Sequence, residues 1–291
     1  MLEAIHRFHE GAALPDKAAL NIHDAAVQAQ IRKLYQAGTP YHAWLGIWRH
    51  FAGWEGLFLD IGANMGQSVT SFALANPRMR IWTFEPNPLC AENIAFAASL
   101  VPNPVTIFLC GIADTDAAMP LHVPCIASTR SYGPSSNASL RRTELDKAHV
   151  IKRLLRDEAN PAALTVVEVP AMVRRLDSLA EPEGLSIVKI DVEGFERRVL
   201  EGITPAIRRH RPVLTVERNN WPEVMEWMRR EDYAGFDYDG ATGTLTPDPP
   251  NRSGKVVDAV LLPREGIPGI LARAEGLLLP GWSNRRSDGI V

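Results

Sequence analysis

The stretch Leu57-Phe58-Leu59-Asp60-Ile61-Gly62-Ala63-Asn64-Met65-Gly66 reads as a buried strand that runs into a glycine-bearing turn and then a helix. An apolar run bounded by small residues is the pattern of a parallel strand covered on both faces. Gly62 and Gly66 permit a sharp turn and a close backbone approach, and Asn64 is the non-glycine residue type that best tolerates a left-handed conformation. The helix that follows would present its amide N–H groups and the positive end of its dipole to whatever lies above the turn. Such a turn is a nucleotide-type cofactor cradle.

Outward from this turn, strand and helix patterns alternate. Strands are expected over 57–61, 80–84, 105–110, 187–191, 213–217 and 256–262, with helices starting near Gly66, Pro88, Val173, Gly194 and Trp221. That order signals an α/β fold built on a doubly wound, mostly parallel sheet. Ligands on such sheets bind beyond the C-terminal ends of the strands, where the strand order reverses.

Three regions frame this core. Residues 1–55 are expected to form an N-terminal helical extension, with a helix over 18–36 that stops at Gly38-Thr39-Pro40. Trp44, Trp48 and Phe51 then recur at helical spacing and are read as packing on the main domain; a homodimer contact or a wall of the substrate pocket are the alternatives. The main domain spans 56–263 and is interrupted by a lid-like insertion at 124–164, with a loop over 128–139 and a helix over 140–159. The mixed charges of that helix read as a solvated face, a lid over an anionic substrate being the alternative. A Pro- and Gly-rich loop is expected at 242–254, and 264–291 is a C-terminal tail.

Composition narrows the function class. Thirty-one basic and 34 acidic residues in 291 give a net charge of -3, which argues against a dedicated nucleic-acid or anionic-membrane binder. No apolar run is long enough to form a transmembrane segment, and residues 1–10 lack the apolar core of a signal peptide. Cys90, Cys110 and Cys125 show no metal spacing, so a cytoplasmic location is expected. The sequon Asn137-Ala138-Ser139 is read as chance.

The turn also discriminates between cofactors. A dinucleotide fingerprint wants G-x-G-x-x-G, and here Asn64 and Gln67 stand at the second and third glycine positions. What is present is an acidic residue followed by small or turn-forming residues at alternate positions: Asp60, Gly62, Asn64, Gly66. A carboxylate just before the turn suits a ligand with positive charge and would repel a phosphate. S-adenosylmethionine carries a sulfonium and an ammonium and no phosphate. The second strand ends in Phe84-Glu85-Pro86-Asn87-Pro88, which puts Glu85 where an acidic residue accepts hydrogen bonds from ribose hydroxyls in nucleotide-binding sheets.

Four blocks together carry a family resemblance. Asp60-Ile61-Gly62-Ala63-Asn64-Met65-Gly66, Phe84-Glu85-Pro86-Asn87-Pro88, Leu176-Asp177-Ser178-Leu179 and Val188-Lys189-Ile190-Asp191-Val192-Glu193-Gly194-Phe195-Glu196 resemble the FkbM family of S-adenosylmethionine-dependent methyltransferases, in the family's order. The resemblance covers about 56–238. It implies a class I, Rossmann-like methyltransferase fold with a seven-stranded sheet, and O-methylation of a hydroxyl on a sugar, glycan or natural product. It implies little about 1–55, the insertion or the tail.

In-line methyl transfer needs the acceptor oxygen aligned with methyl and sulfur, and a group that removes the hydroxyl proton. Asp191, at a strand end, is the first candidate for orienting the acceptor or the methionine end of the cofactor, and Glu193 is the runner-up base. Glu196 in the first helical turn is explained by the helix dipole alone. Glu217 is read as lining the acceptor pocket. Asp191, Glu217 and Asn219 could instead supply oxygen ligands to magnesium, which is the weaker alternative. Cofactor contacts are expected from Asp60, Gly62, Ala63, Asn64, Gly66, Glu85, Asn87, Asp191 and, at the adenine amino group, Asp114. His122 and His149 are possible bases in the acceptor pocket; His6, His9, His42 and His50 lack a partner pattern. Asp248-Pro249-Pro250-Asn251 resembles an amino-methylating motif, but it stands at the wrong place and lacks the stacking aromatic. A nicotinamide-dependent oxidoreductase, a non-catalytic binding protein and a nucleic-acid methyltransferase are the competing classes.

Overall fold

Leu57–Ile61 forms a strand in which all five residues are buried, as its apolar run requires. The structure is a computed structural model and describes residues 2–7, 24–126, 138–147, 151–152, 164–247 and 258–281. In chain order its elements are β1 (Leu2–Arg7), α1 (Asp24–Gln36), a 3₁₀ helix (Ala43–Phe51), β2 (Leu57–Ile61), α2 (Gln67–Ala75), β3 (Arg80–Phe84), α3 (Ala91–Leu100), β4 (Val105–Leu109), β5 (Gly111–Ile112), β6 (Ala117–Ile126) and α4 (Arg142–Leu145). There follow β7 (Leu164–Arg174), β8 (Leu185–Ile190), α5 (Glu196–His210), β9 (Val213–Glu217), α6 (Trp221–Arg230), β10 (Tyr233–Asp239), β11 (Thr244–Pro247), β12 (Asp258–Pro263) and α7 (Ile267–Arg273).

The main sheet runs β1-β4-β3-β2-β8-β9-β12-β10-β11. β2 pairs in parallel with both β3 and β8, so the chain moves outward one way through β3 and β4 and the other way through β8 and β9. The crevice of this doubly wound sheet therefore lies over the C-terminal ends of β2 and β8. β12 runs antiparallel to both of its neighbours, β9 and β10.

Successive strand residues face opposite layers. Phe58, Ile81, Ile107, Ile187, Val213 and Val260 join one core with α1, the 3₁₀ helix, α2 and α3, and Leu59, Phe84, Val188, Leu214 and Leu261 join the other with α5 and α6. The aromatic stripe behaves as expected of a packing element. Trp48 and Phe51 have no exposed surface, and Trp48 meets Phe58 and Phe72 edge-on at centroid distances of 5.1 and 5.4 Å.

Several expectations need correction. The sheet has nine strands among the described residues where seven were expected, because β1 and β11 extend its two edges. The N-terminal region is not wholly helical: β1 pairs in parallel along β4 and satisfies that edge's backbone groups. The insertion leaves from the end of one strand and returns to the start of another. β6 and β7 form a long antiparallel hairpin that joins β5 in a three-stranded sheet. Pro120, Pro124 and Pro170 lie within these strands; at these positions the two strands pair only with each other within their sheet, so a missing N–H can face away from the ladder. Of the expected helix over 140–159, Arg142–Leu145 and 151–152 are helical and Asp146 and Lys147 turn, while 148–150 and 153–159 lie outside the described residues. Val173 lies within β7 instead of starting a helix, and β11 occupies part of the expected 242–254 loop. His9, His149, Asn137 and Asp248-Pro249-Pro250-Asn251 lie outside the described residues.

Trp48→Ala should cost about 3–5 kcal/mol of stability, the range for deleting a fully buried large aromatic side chain. Chemical denaturation would measure this. A loss below about 1 kcal/mol would mean that the N-terminal segment is not part of the core.

Candidate functional site

The turn after β2 is held by its own backbone. Gly62 and Ala63 both donate their amides to the Phe84 carbonyl, at 2.9 and 3.1 Å, and the Gly66 amide donates to the Ala63 carbonyl at 2.8 Å. The Asn64 amide donates to Glu85 Oε2 at 2.7 Å, with Asn64 at φ 51° in the left-handed region. Gly62 is obligatory for a packing reason: at φ 82°, an added Cβ would overlap the carbonyl of Asp191 at the end of β8.

Glu85 therefore caps two turns. Its Oε1 accepts from the Asn87 amide at 2.8 Å while Oε2 serves Asn64. Burial pushes its carboxyl up to about 7, although the amides of Asn87 and Asn64 favour the charged form. A carboxylate has room for further donors beyond these two. The Asn87 side chain caps Leu89 through its oxygen at 3.1 Å, and its buried Nδ2 has no hydrogen-bond partner among the described residues.

Asp60 is fully buried and faces inward. It accepts from Ser68 Oγ at 2.5 Å and lies 3.4 Å from Lys189 Nζ, its neighbour in the β2–β8 register. Lys189 also donates to the Gly62 carbonyl at 2.7 Å and lies 3.5 Å from Asp191 Oδ2. Burial alone would discharge this lysine, but the charges of Asp191 and Asp60 outweigh it and raise its pKa. Lys189 was quoted in a motif without a role. Only the pairing of β2 with β8 reveals that it joins Asp60 to Asp191.

Asp191 is about one-third exposed at the β8 end. The next residues turn sharply, with Glu193 at φ 48° and Gly194 at φ 95°. Ser139 Oγ donates to the Glu193 carbonyl at 2.8 Å, and Arg141 and Asn220 donate to the Gly194 carbonyl at 3.1 and 3.0 Å. The insertion thus clamps this turn. Glu196 is buried, accepts from the Gly194 amide at 3.0 Å and is pushed up to about 8 by burial.

Glu217 ends β9, buried, with Asn219 Nδ2 donating to it at 2.5 Å. Burial raises its pKa well above the usual value, and the charges of Asp191 and Glu193 add to this. Asp258 stands directly opposite Glu217 in the β9–β12 pair, and burial together with Asp191 pushes it up to about 8. Asp258 lies at the start of a strand with no motif around it, so sequence reading missed it. Among the described residues, no group of three or more His, Cys, Asp or Glu side chains is arranged to hold a metal ion.

Other candidates fall elsewhere. Asp114 is exposed and paired to Arg198 of α5 at 2.5 Å. His122 is buried on β6, 3.5 Å from Glu168. His42 lies at the rim, between Tyr41, whose amide donates to Ser71 Oγ of α2 at 2.9 Å, and Trp44. Its pKa is lowered, first by burial and then by Lys189, against the pull of Asp191. The one available sequence signal for His42 was its place ahead of the aromatic stripe.

Residues 60–238 match the Methyltransferase FkbM domain family. The chain belongs to that family. The matched span contains the β2 turn, Glu85, Asp191 and Glu217, while Asp258 and His42 lie outside it. Among curated proteins, the chain is similar to Methyltransferase sdnD of Sordaria araneosa, 27% identical over 164 residues, which is 50% of this chain and 59% of that protein. A solved Methyltransferase FkbM from Methylobacillus flagellatus KT is 16% identical with a TM-score of 0.42, covering 72% of this chain and 44% of that one. Cofactor-bound Rv0187 from MTB is 16% identical with a TM-score of 0.39, covering 87% of this chain and 99% of that one. The chain thus spans under two thirds of the length of the curated relative it matches. No helix among the described residues is long and apolar enough to cross a membrane.

Removing the buried ammonium with Lys189→Met should destabilise the protein by about 3–5 kcal/mol, since it strands the Asp60 carboxylate. The double variant Asp60→Asn/Lys189→Met should recover part of that loss. Denaturant midpoints for the three proteins check this; strictly additive losses would show that the two side chains do not act as a pair.

Proposed function

We propose that this chain is an S-adenosylmethionine-dependent O-methyltransferase that acts on a hydroxyl of a small molecule, a sugar or glycan unit or a natural product. The observation that carries this reading is the β2 turn itself. The amides of Gly62, Ala63, Asn64 and Gly66 are taken by protein acceptors, and the Glu85 carboxylate caps the turn. A pyrophosphate would find few donors there and a negative charge; a ribose would find an acceptor.

Glu85 would accept the ribose hydroxyls, with the spare Asn87 Nδ2 donating beside it. Gly62, Ala63, Asn64 and Gly66 would shape the wall of the cradle. Asp60 acts at one remove, by holding Lys189 against Gly62 and Asp191. When bound, S-adenosylmethionine supplies an electrophilic methyl group. Asp191 would orient the acceptor hydroxyl, with Glu193 or Glu217 receiving its proton; burial and the charges of Asp191 and Glu193 raise the pKa of Glu217 and make it the stronger base. The exposed Asp114, paired to Arg198, would serve the adenine end only after leaving that partner.

Calorimetric titration with S-adenosylmethionine, S-adenosylhomocysteine and NAD tests the proposal. Binding of the first two without NAD is expected, and Glu85→Ala should weaken it by about 10–100-fold, the worth of hydrogen bonds to a charged group. Tight NAD binding without an S-adenosylmethionine signal would overturn the reading. The same titration carries a pH signature. Below about 7 Glu85 holds a proton that must leave before it can accept two hydroxyl donors. Affinity should therefore rise with pH, by up to about tenfold per unit, and level off above about 8. Glu85→Gln should bind weakly with a flat profile; a falling profile in the natural protein would refute the role of the carboxylate.

A further inference from the structure

The sheet register lines up three carboxylates outside the cofactor cradle. Ile190 pairs with Val216, so the next step along both strands sets Asp191 beside Glu217, and Glu217 is in turn opposite Asp258. By strand alternation all three lie on the face that carries Ile187, Val213 and Val260. They form one row across β8, β9 and β12, with neighbouring strands about 4.8 Å apart. The row leads away from the cofactor side: β12 is four strands from β3, where Glu85 sits, or roughly 19 Å.

Lys189 and Arg218 are the cations that act on Asp258, and both are shared with other partners. Lys189 is committed to the Gly62 carbonyl, Asp60 and Asp191. Arg218 pairs with Asp237 and lies over the Trp221 ring. On the α5 side the neighbours are Glu193 and Glu196, the latter with its pKa raised by burial, and His42, on the N-terminal side, has its pKa lowered. Among the described residues neither Glu217 nor Asp258 has an ion-pair partner. The second, independent observation is at Asp258 itself. It is more than nine-tenths buried, it stands on the same sheet face directly opposite Glu217 on the adjacent strand, and its Oδ2 has no hydrogen-bond partner among the described residues. A buried oxygen of this kind costs stability unless something binds it.

We propose that Asp191, Glu217 and Asp258 form a subsite for an ammonium group carried by the acceptor, so that the substrate is an amine-bearing hydroxyl compound such as an amino sugar. This rests on the methyl-transfer reading for the acceptor's role, although the ammonium subsite itself does not. An N⁺–H donor satisfies Asp258 Oδ2, favours the charged form of the carboxyls in the row, and leaves the hydroxyl of the same molecule to face the cofactor side. Burial and the Asp191 charge have raised Asp258 and Glu217, so binding of a cation draws their protons off.

The full-length protein saturated with S-adenosylhomocysteine would be titrated calorimetrically with glucosamine, N-acetylglucosamine and glucose. Glucosamine should bind about tenfold more tightly than either neutral sugar, the effect of one charge-assisted hydrogen bond. It should release protons on binding, read from the heats in two buffers of different ionisation enthalpy. The selection should vanish in Glu217→Gln and Asp258→Asn, while both variants retain S-adenosylhomocysteine affinity and so report that they are folded. Equal affinity for the three sugars, or no glucosamine signal, overturns the proposal. So does loss of S-adenosylhomocysteine binding in folded variants, which would assign the row to the cofactor's own ammonium. Displacement of glucosamine by magnesium chloride at lower concentration would assign it to a metal and also overturn it. If the natural protein fails to bind S-adenosylhomocysteine, the methyl-transfer reading fails; glucosamine selection in the cofactor-free protein would then still uphold the ammonium subsite, and its absence would sink both.

Discussion

Lys189 is a buried ammonium at the β2–β8 switch point of the sheet, and much of the site's geometry follows from keeping it charged. An isolated ammonium in such a position would lose its proton. Here the Gly62 carbonyl, Asp60 and Asp191 surround it, and the β2–β8 register that pairs Asp60 with Lys189 makes this possible. The same three contacts tie the cofactor turn to the end of β8. Gly62 has to lack a side chain because the Asp191 carbonyl occupies that space. The β2 turn, the crevice and the end of β8 are therefore one interlocked unit.

Around that unit the carboxylates divide by environment. Glu85 is surrounded by backbone amides, which keep it usable as an acceptor near neutral pH. Glu217 and Asp258 have each other and Asp191 for neighbours, and their pKa values are raised accordingly. Residues of one chemical type thus take on distinct tasks through burial and neighbouring charge. The insertion contributes by anchoring: Ser139 and Arg141 hold the Glu193–Gly194 turn that starts α5.

How much could be read in advance depended on whether local signals agreed with the final pairing. The strands 57–61, 80–84 and 213–217 were legible to the residue because buried parallel strands are short apolar runs closed by turn residues. β6 and β7 were not, since Pro120, Pro124 and Pro170 argue locally for loop and are tolerated only through one-sided pairing. β1 was hidden for a related reason: Leu2–Arg7 becomes a strand by lying along the edge of β4, a partner distant in sequence. At the site, Glu85 was legible from its strand-end position. Asp258 and His42 were not, because their significance lies in which strand ends and helices they adjoin.

Sequence by itself determined the sheet's central strands, the cofactor turn with its failed dinucleotide spacing, and membership of the FkbM methyltransferase domain family. These are local properties, written in periodicity, in glycine and asparagine at turn positions, and in the order of short blocks. Tertiary structure alone decided that Asp60 faces Lys189, that the insertion clamps the Glu193–Gly194 turn, and that Asp191, Glu217 and Asp258 stand in one row. Register and long-range pairing set those relations. They join residues whose distance along the chain carries no trace of their distance in space.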